Sequence, residues 1–161
     1  MLKYVIKHFD SLSKEELFEI MKLRVAVFVV EQKCPYMEID DYDEVSYHIC
    51  LKGDDDRILA YLRVLPPGCT FKEASIGRVI AVERRKGYGT MIVKMGINVA
   101  KEKFNCDRIV IEAQTYARSL YEKCGFVQSS EEFLEDGIPH IQMIYKIKGA
   151  VTKWLNQLAR L

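Results

Sequence analysis

The sequence predicts a mixed α/β (α+β) domain, a sheet with helices packed against it, on two observations. Residues Ser75-Ile76-Gly77-Arg78-Val79-Ile80-Ala81-Val82 form an apolar, β-branched run that breaks off into the basic, glycine-spaced turn Glu83-Arg84-Arg85-Lys86-Gly87-Tyr88-Gly89-Thr90. Beyond it Tyr88, Ile92, Met95 and Val99 recur at helical spacing. Ile109 to Ala113 then reads as a second strand, apolar without alternation, the pattern of a parallel-type strand covered on both faces. Strand, glycine turn, helix and strand in that order describe a crossover unit.

The other elements follow in chain order. Residues 2–8 read as a strand. Ser13 with Glu16 forms a capping box and Leu12 with Leu17 a hydrophobic staple, so a helix starts there. Leu17, Ile20, Met21 and Phe28 supply its buried face, and Pro35 ends any continuation. Ser46 to Lys52 and Arg57 to Leu65 read as paired strands around the polar turn Gly53-Asp54-Asp55-Asp56. Pro66-Pro67-Gly68 breaks the chain before the strand at Ser75, and Gly77 inside that strand suggests a bulge or a close backbone approach. Ile141 to Lys146 gives a last strand. Residues 1–147 make one domain. The segment 148–161 is expected to form an amphipathic helix with Val151, Trp154, Leu155, Leu158 and Leu161 on one face, packed on the domain or at a dimer contact.

Composition narrows the function. At 161 residues with 49% apolar, the chain can bury a core of its own, and a net charge of +1 gives no global field for nucleic acid or an anionic membrane. Cys34, Cys50, Cys69, Cys106 and Cys124 are odd in number and lack metal-ligand spacing, so they are expected to be reduced thiols in the cytoplasm, with no metal bound. No apolar run reaches the length of a membrane span, and Met-Leu-Lys-Tyr does not open a signal peptide.

The turn at residues 84–90 carries the chemistry. Main-chain N–H groups at a helix N-terminus attract phosphate, glycine lets the backbone approach it, and Arg84, Arg85 and Lys86 add positive charge. A Walker loop is excluded, because no Gly-Lys-Ser/Thr closes the turn. A dinucleotide fingerprint is excluded too, because its third glycine would fall at Ile92. What remains, Arg84-x-x-Gly87-x-Gly89, resembles the Arg/Gln-x-x-Gly-x-Gly/Ala signature of the GNAT N-acetyltransferases. Gln114, Ala117, Leu120, Tyr121, Gly125 and Phe126 resemble that family's Asn-x-x-Ala-x-x-Leu-Tyr-x-x-x-Gly-Phe, with Gln114 where asparagine is usual. Phe28, Val30-Glu31-Gln32, Cys34-Pro35-Tyr36, Glu38-Ile39-Asp40 and Asp43 look like its ElaA-like branch, as do Ile76-Gly77-Arg78-Val79 and Phe133 to His140.

The resemblance implies a central mixed, twisted sheet whose parallel strands splay at the acetyl-CoA site. It implies acetyl-CoA as cosubstrate and direct transfer to an amine acceptor, by a monomer or homodimer. Ile80 and Val82 would pair their main chain with pantetheine, and an N–H near Ile80 or Ala81 would face the oxyanion. Arg84, Arg85, Lys86, Gly87, Tyr88, Gly89, Thr90 and Gln114 would complete the cofactor site. Tyr121 matches the family tyrosine that protonates the departing thiolate.

For the base, Glu31, Glu38, Asp40, His48, Glu112 and His140 are conceivable. Glu112 stands out near the C-terminal end of its strand and His140 after a Gly-Ile-Pro turn, while His48 reads as structural. Arg24, Glu31, Glu38 and Asp40 are candidate acceptor contacts. The acidic run from Glu38 to Glu44 is either a solvated loop or a rim for a cationic amine, and Arg24 either binds an acceptor carboxylate or pairs with Glu31 or Glu38. A catalytically silent CoA-binding sensor and an acyltransferase for longer acyl groups are the alternatives.

Overall fold

The computed structural model describes residues 1–148, so the helix expected within 148–161 lies outside the described residues. Strands β1 (Lys3–His8), β2 (Tyr47–Lys52), β3 (Ile58–Leu65) and β4 (Ser75–Ala81) form one antiparallel sheet in the order β1-β2-β3-β4. Strands β5 (Arg108–Gln114), β6 (Val127–Gln128), β7 (Phe133–Glu135) and β8 (Ile138–Lys146) form a second, ordered β5-β8-β6 with β7 also on β8. One parallel bridge, Ala74 to Ile109, joins the two, with the Val110 N–H donating to Ala74 O at 3.0 Å. The mixed sheet with splayed parallel strands is therefore present, its parallel part reduced to that single bridge.

Helix α1 (Lys14–Arg24) starts where the sequence marks it. The Glu16 N–H donates to Ser13 Oγ at 3.1 Å and the Ser13 N–H to Glu16 Oε2 at 2.9 Å, a cap worth about 1 kcal/mol. The helix then widens over Val25–Glu31, where Gln32 N–H reaches Val27 O and Cys34 N–H reaches Val29 O, five residues back. Pro35 lies past this end.

Strands β2 and β3 are buried on both faces. Ile49, Leu51, Leu62 and Val64 meet Ile92, Val93 and Ile97 of helix α2 (Tyr88–Phe104). On the opposite face Cys50 and Tyr61 meet Ile20 and Phe28. Each such aliphatic side chain contributes about 1.5–3 kcal/mol on burial.

Strand β4 positions the site. Its ladder with β3 runs Leu65↔Ser75, Val64↔Ile76 and Arg63↔Gly77, then resumes at Tyr61↔Ile80. Three steps along β4 answer two along β3, so one residue is extra. The sequence pointed to Gly77 for the bulge, but the positive φ falls on Arg78, at 56°. That backbone costs a residue with a Cβ about 1–2 kcal/mol. It also resets the parity of the strand. Ile76 and Val79 pack with the α2-side core, whereas Ile80 packs with the α1-side core. Strict alternation would have driven Arg78 into the α2-side apolar core.

The C-terminal strand differs from expectation. β8 begins at Ile138, and β7 precedes it across the turn Asp136-Gly137, both with positive φ (49° and 76°). Asp-Gly suits this tight hairpin because both central residues need φ above zero. Pro139 is tolerated because β5 ends opposite His140, so the missing N–H removes no bond to β5.

Candidate active site

Helix α2 opens without a side-chain cap, on Gly87 with φ 78°. Its first intrahelical bond runs from Met91 N–H to Gly87 O at 3.1 Å, so the N–H groups of Tyr88, Gly89 and Thr90 lie ahead of it. Arg84, Arg85 and Lys86 are exposed above them, with Arg84 3.7 Å from the Glu31 carboxylate.

The two glycines have different surroundings. A Cβ at Gly87 would meet nothing within 4 Å, and the left-handed backbone is what requires glycine there. A Cβ at Gly89 would stand 3.4 Å from Leu120 of α3 (Arg118–Lys123), at ordinary contact distance.

The main-chain phase of β4 also differs by one residue. Val82 N–H donates to Leu59 O at 2.9 Å, and Ile80 pairs opposite Tyr61. Main-chain groups alternate between the two edges of a strand, so Ala81, rather than Ile80 and Val82, faces the open side toward β5.

Across the gap, α3 presents Tyr121, 8% exposed, its ring edge-on to Phe126 at 5.8 Å. Burial raises its phenol above the ordinary value of 10, so it carries its proton at neutral pH. Gln114 forms a reciprocal amide pair with Gln32, at 3.1 and 3.5 Å, which occupies the side chain expected to contact CoA. Cys34 Sγ lies 3.8 Å from Asp136 O, so the end of the widened helix touches the β7–β8 turn.

Glu112, Gln114, His140 and Gln142 share the outer face of β5 and β8, with Glu112 opposite Gln142 and Gln114 opposite His140. His140 Nδ1–H donates to Ile138 O at 2.7 Å, which assigns Nε2 as the basic nitrogen. Glu135 Oε2 lies 3.5 Å from that nitrogen. Sequence reasoning missed Glu135; the signal was the Asp-Gly hairpin that folds it back onto His140. Partial burial and the neighbouring Glu135 charge raise the Glu112 carboxyl above its ordinary range.

Within the acidic run Asp41 and Glu44 are exposed, whereas Glu38, Asp40 and Asp43 enter a largely buried ionic block. Arg24, 0% exposed, donates from Nε to Glu38 Oε1 at 2.8 Å and from Nη1 to Asp43 Oδ1 at 2.5 Å. Arg63 donates to both Asp40 oxygens at 2.5 and 2.9 Å and to Asp43 Oδ1 at 2.9 Å. Arg78 Nη2 donates to Glu38 O at 2.8 Å, with its Nε 2.7 Å from Glu38 Oε1. Three guanidiniums balance three carboxylates, and desolvation would forbid either set alone. Arg24, Glu38 and Asp40 therefore shape the wall from behind: the Arg24 guanidinium is committed to Glu38 and Asp43 and is not open to an acceptor carboxylate. Glu31 alone of the four acceptor candidates is well exposed.

His48 completes this network. Its Nε2–H donates to Asp43 O at 2.9 Å, so Nδ1 accepts from Tyr61 Oη–H at 2.8 Å. Burial lowers its pKa and keeps it neutral. Burial opposes ionisation of Asp40 and Asp43, yet Arg63 and Arg24 hold both below the usual carboxylate range. In all three cases the unfolded chain binds more protons. Stability should be full above the unfolded histidine value of about 6.5 and fall with pH, first through His48 and then, below about 3.9, through the aspartates. Urea midpoints should drop between about pH 7 and pH 5, and His48→Gln should flatten that stretch. A wild type with a flat midpoint there would argue against a neutral His48.

Parted strands over an uncapped, basic helix start are the architecture of an acyl-CoA enzyme fold. A family profile for the acetyltransferase (GNAT) domain matches residues 11–147, and the chain belongs to that family. A UPF0039 protein of Schizosaccharomyces pombe is 39% identical over 145 residues, covering 88% of this chain and 95% of its own. Escherichia coli ElaA has a crystal structure that superposes at TM-score 0.83 with 31% identity, over 91% of this chain and 100% of that one. A Pseudomonas aeruginosa acyl-CoA N-acyltransferase does so at 0.81 with 35% identity, over 90% and 99%. Among the described residues no helix is long and apolar enough to cross a membrane.

Proposed function

We propose that the protein is an acetyl-CoA-dependent N-acetyltransferase that moves an acetyl group to the amine of a small molecule or peptide by direct attack in a ternary complex. The observation that carries this reading is the start of α2, where main-chain donors ahead of the first helical bond stand under Arg84, Arg85 and Lys86 and beside strands that have parted. Such donors and the helix dipole favour a pyrophosphate. Ala81 offers its free main-chain edge to the pantetheine arm, as an added strand would use it. An N–H at the bulge receives the charge that develops on the thioester oxygen. His140, backed by Glu135, takes the proton of the attacking amine, and Tyr121 gives one to the departing thiolate. Glu31 and Glu112 line the acceptor side. The five cysteines are unpaired, as a reducing, cytoplasmic setting would keep them.

Calorimetry and thermal shift with acetyl-CoA test the reading. Saturation at about 100 times Kd should add about 2.7 kcal/mol, several degrees of Tm for a chain of this size. Gly87→Glu, which combines a strained φ with a carboxylate in the cradle, should abolish the shift. A folded wild type that ignores acetyl-CoA would overturn the proposal.

A further inference from the structure

We propose that Arg78 is a positioning residue for acyl transfer, fixing the bulge of β4 by a side-chain tether so that the strand's main chain meets the acyl carbonyl. The inference rests on the acetyltransferase reading above and adds to it the group that sets the geometry. Nothing in the local sequence demands the bulge, since Gly77, the residue able to take a positive φ freely, does not take it. The strained φ sits instead on a residue with a long cationic side chain, and non-glycine strain persists only where surrounding structure enforces it.

The enforcing contacts are made by the guanidinium. Arg78 Nη2 donates to Glu38 O at 2.8 Å and lies 3.4 Å from Asp40 Oδ2, and the guanidinium stands over the Tyr36 ring at 5.5 Å. All three partners come from residues 36–40, the segment that follows the widened helix. Arg24 and Arg63 anchor Glu38 and Asp40 in turn, so the tether ends on a buried, charge-balanced block. The side chain thus pulls residue 78 toward the α1 face while Ile76 and Val79 hold the strand to the α2 face. The extra residue between Gly77 and Ile80 is the product of these opposed demands. Arg78 lies two residues from Ile80, where the parity-reset main chain begins. Loss of the tether would let the backbone relax toward unbroken pairing with β3 and withdraw its N–H from the cleft.

The test reads the thioester directly and needs no acceptor. Isotope-edited infrared difference spectra of acetyl-CoA bound to the protein report hydrogen bonding to the thioester carbonyl, which moves the C=O stretch to lower wavenumber. Wild type, Arg78→Ala and Arg78→Gly are compared, with affinities from calorimetry. Glycine adopts the positive φ without strain, so Arg78→Gly removes the tether, and with it one charge of the ionic block, without adding backbone strain, and acetyl-CoA binding reports that the variant has folded. Both variants are expected to bind acetyl-CoA within a few-fold of wild type and to lose more than half of the bound-state carbonyl shift. A wild-type shift in either variant would overturn the tether, as would a wild type whose bound carbonyl matches free acetyl-CoA. Failure of the acetyltransferase reading looks different: no binding to wild type at all.

Discussion

Tyr121→Phe is expected to lower acetyl-transfer turnover by about 10²-fold or more while acetyl-CoA affinity stays as in wild type. The side chain is buried against Phe126, so removing one oxygen leaves its packing intact. What goes is a proton source for the thiolate. A coenzyme thiol ionises near about 8.5, whereas burial keeps the Tyr121 phenol protonated above its ordinary value. A loss of that size corresponds to about 2.7 kcal/mol in the barrier. The pH–rate profile separates this role from that of His140: Tyr121→Phe should keep the acidic limb, and His140→Gln should remove it. Undiminished turnover in Tyr121→Phe would take the tyrosine out of the mechanism, and an unchanged limb in His140→Gln would move the base to Glu112 or to a water chain.

Arg24→Ala is expected to destabilise the fold by about 3–5 kcal/mol, because it strands the Glu38 and Asp43 carboxylates in a site with almost no solvent. For a chain of this length that is a fall in Tm of about 10 °C or more. Arg24→Lys should recover part of it, since an ammonium keeps the charge but cannot serve both carboxylates with a planar fork. The loss should shrink as pH drops and the aspartate protonates. A Tm change within a degree or two would mean that Glu38 and Asp43 are satisfied without Arg24. Activity lost with no loss of stability would return Arg24 to the acceptor site.

The parts of this fold that the sequence announces are those set by neighbours in the chain. Ser13 and Glu16 lie three residues apart, and their reciprocal cap forms as read. The strand, turn and helix from Ser75 to Phe104 follow from β-branching, Gly87 and apolar spacing. The ionic block was illegible for the opposite reason. Glu38, Asp40 and Asp43 look like a solvated run because the arginines that neutralise them stand at 24, 63 and 78 and meet only in the folded chain. Glu135 was illegible because Gly137-Ile138-Pro139 reads as the turn, whereas the hairpin turns one residue earlier at Asp136-Gly137. The phase error at Ile80 and Val82 has the same root as the bulge. Which edge a main-chain N–H faces depends on how many residues precede it in the ladder, and a residue inserted by tertiary contacts leaves no composition to read.

Strand β4 has, in effect, a reading frame. Upstream of Arg78 it is in one phase with β3, downstream in the other, and a single residue carries the shift. Composition there can drift as long as bulk is kept, but length cannot. Losing one residue between Gly77 and Ile80 would transpose every downstream side chain and every downstream main-chain group, from Val79 to the glycine turn, while leaving each still apolar or still basic. Such a frameshift in space would read as conservative in composition and be ruinous in function.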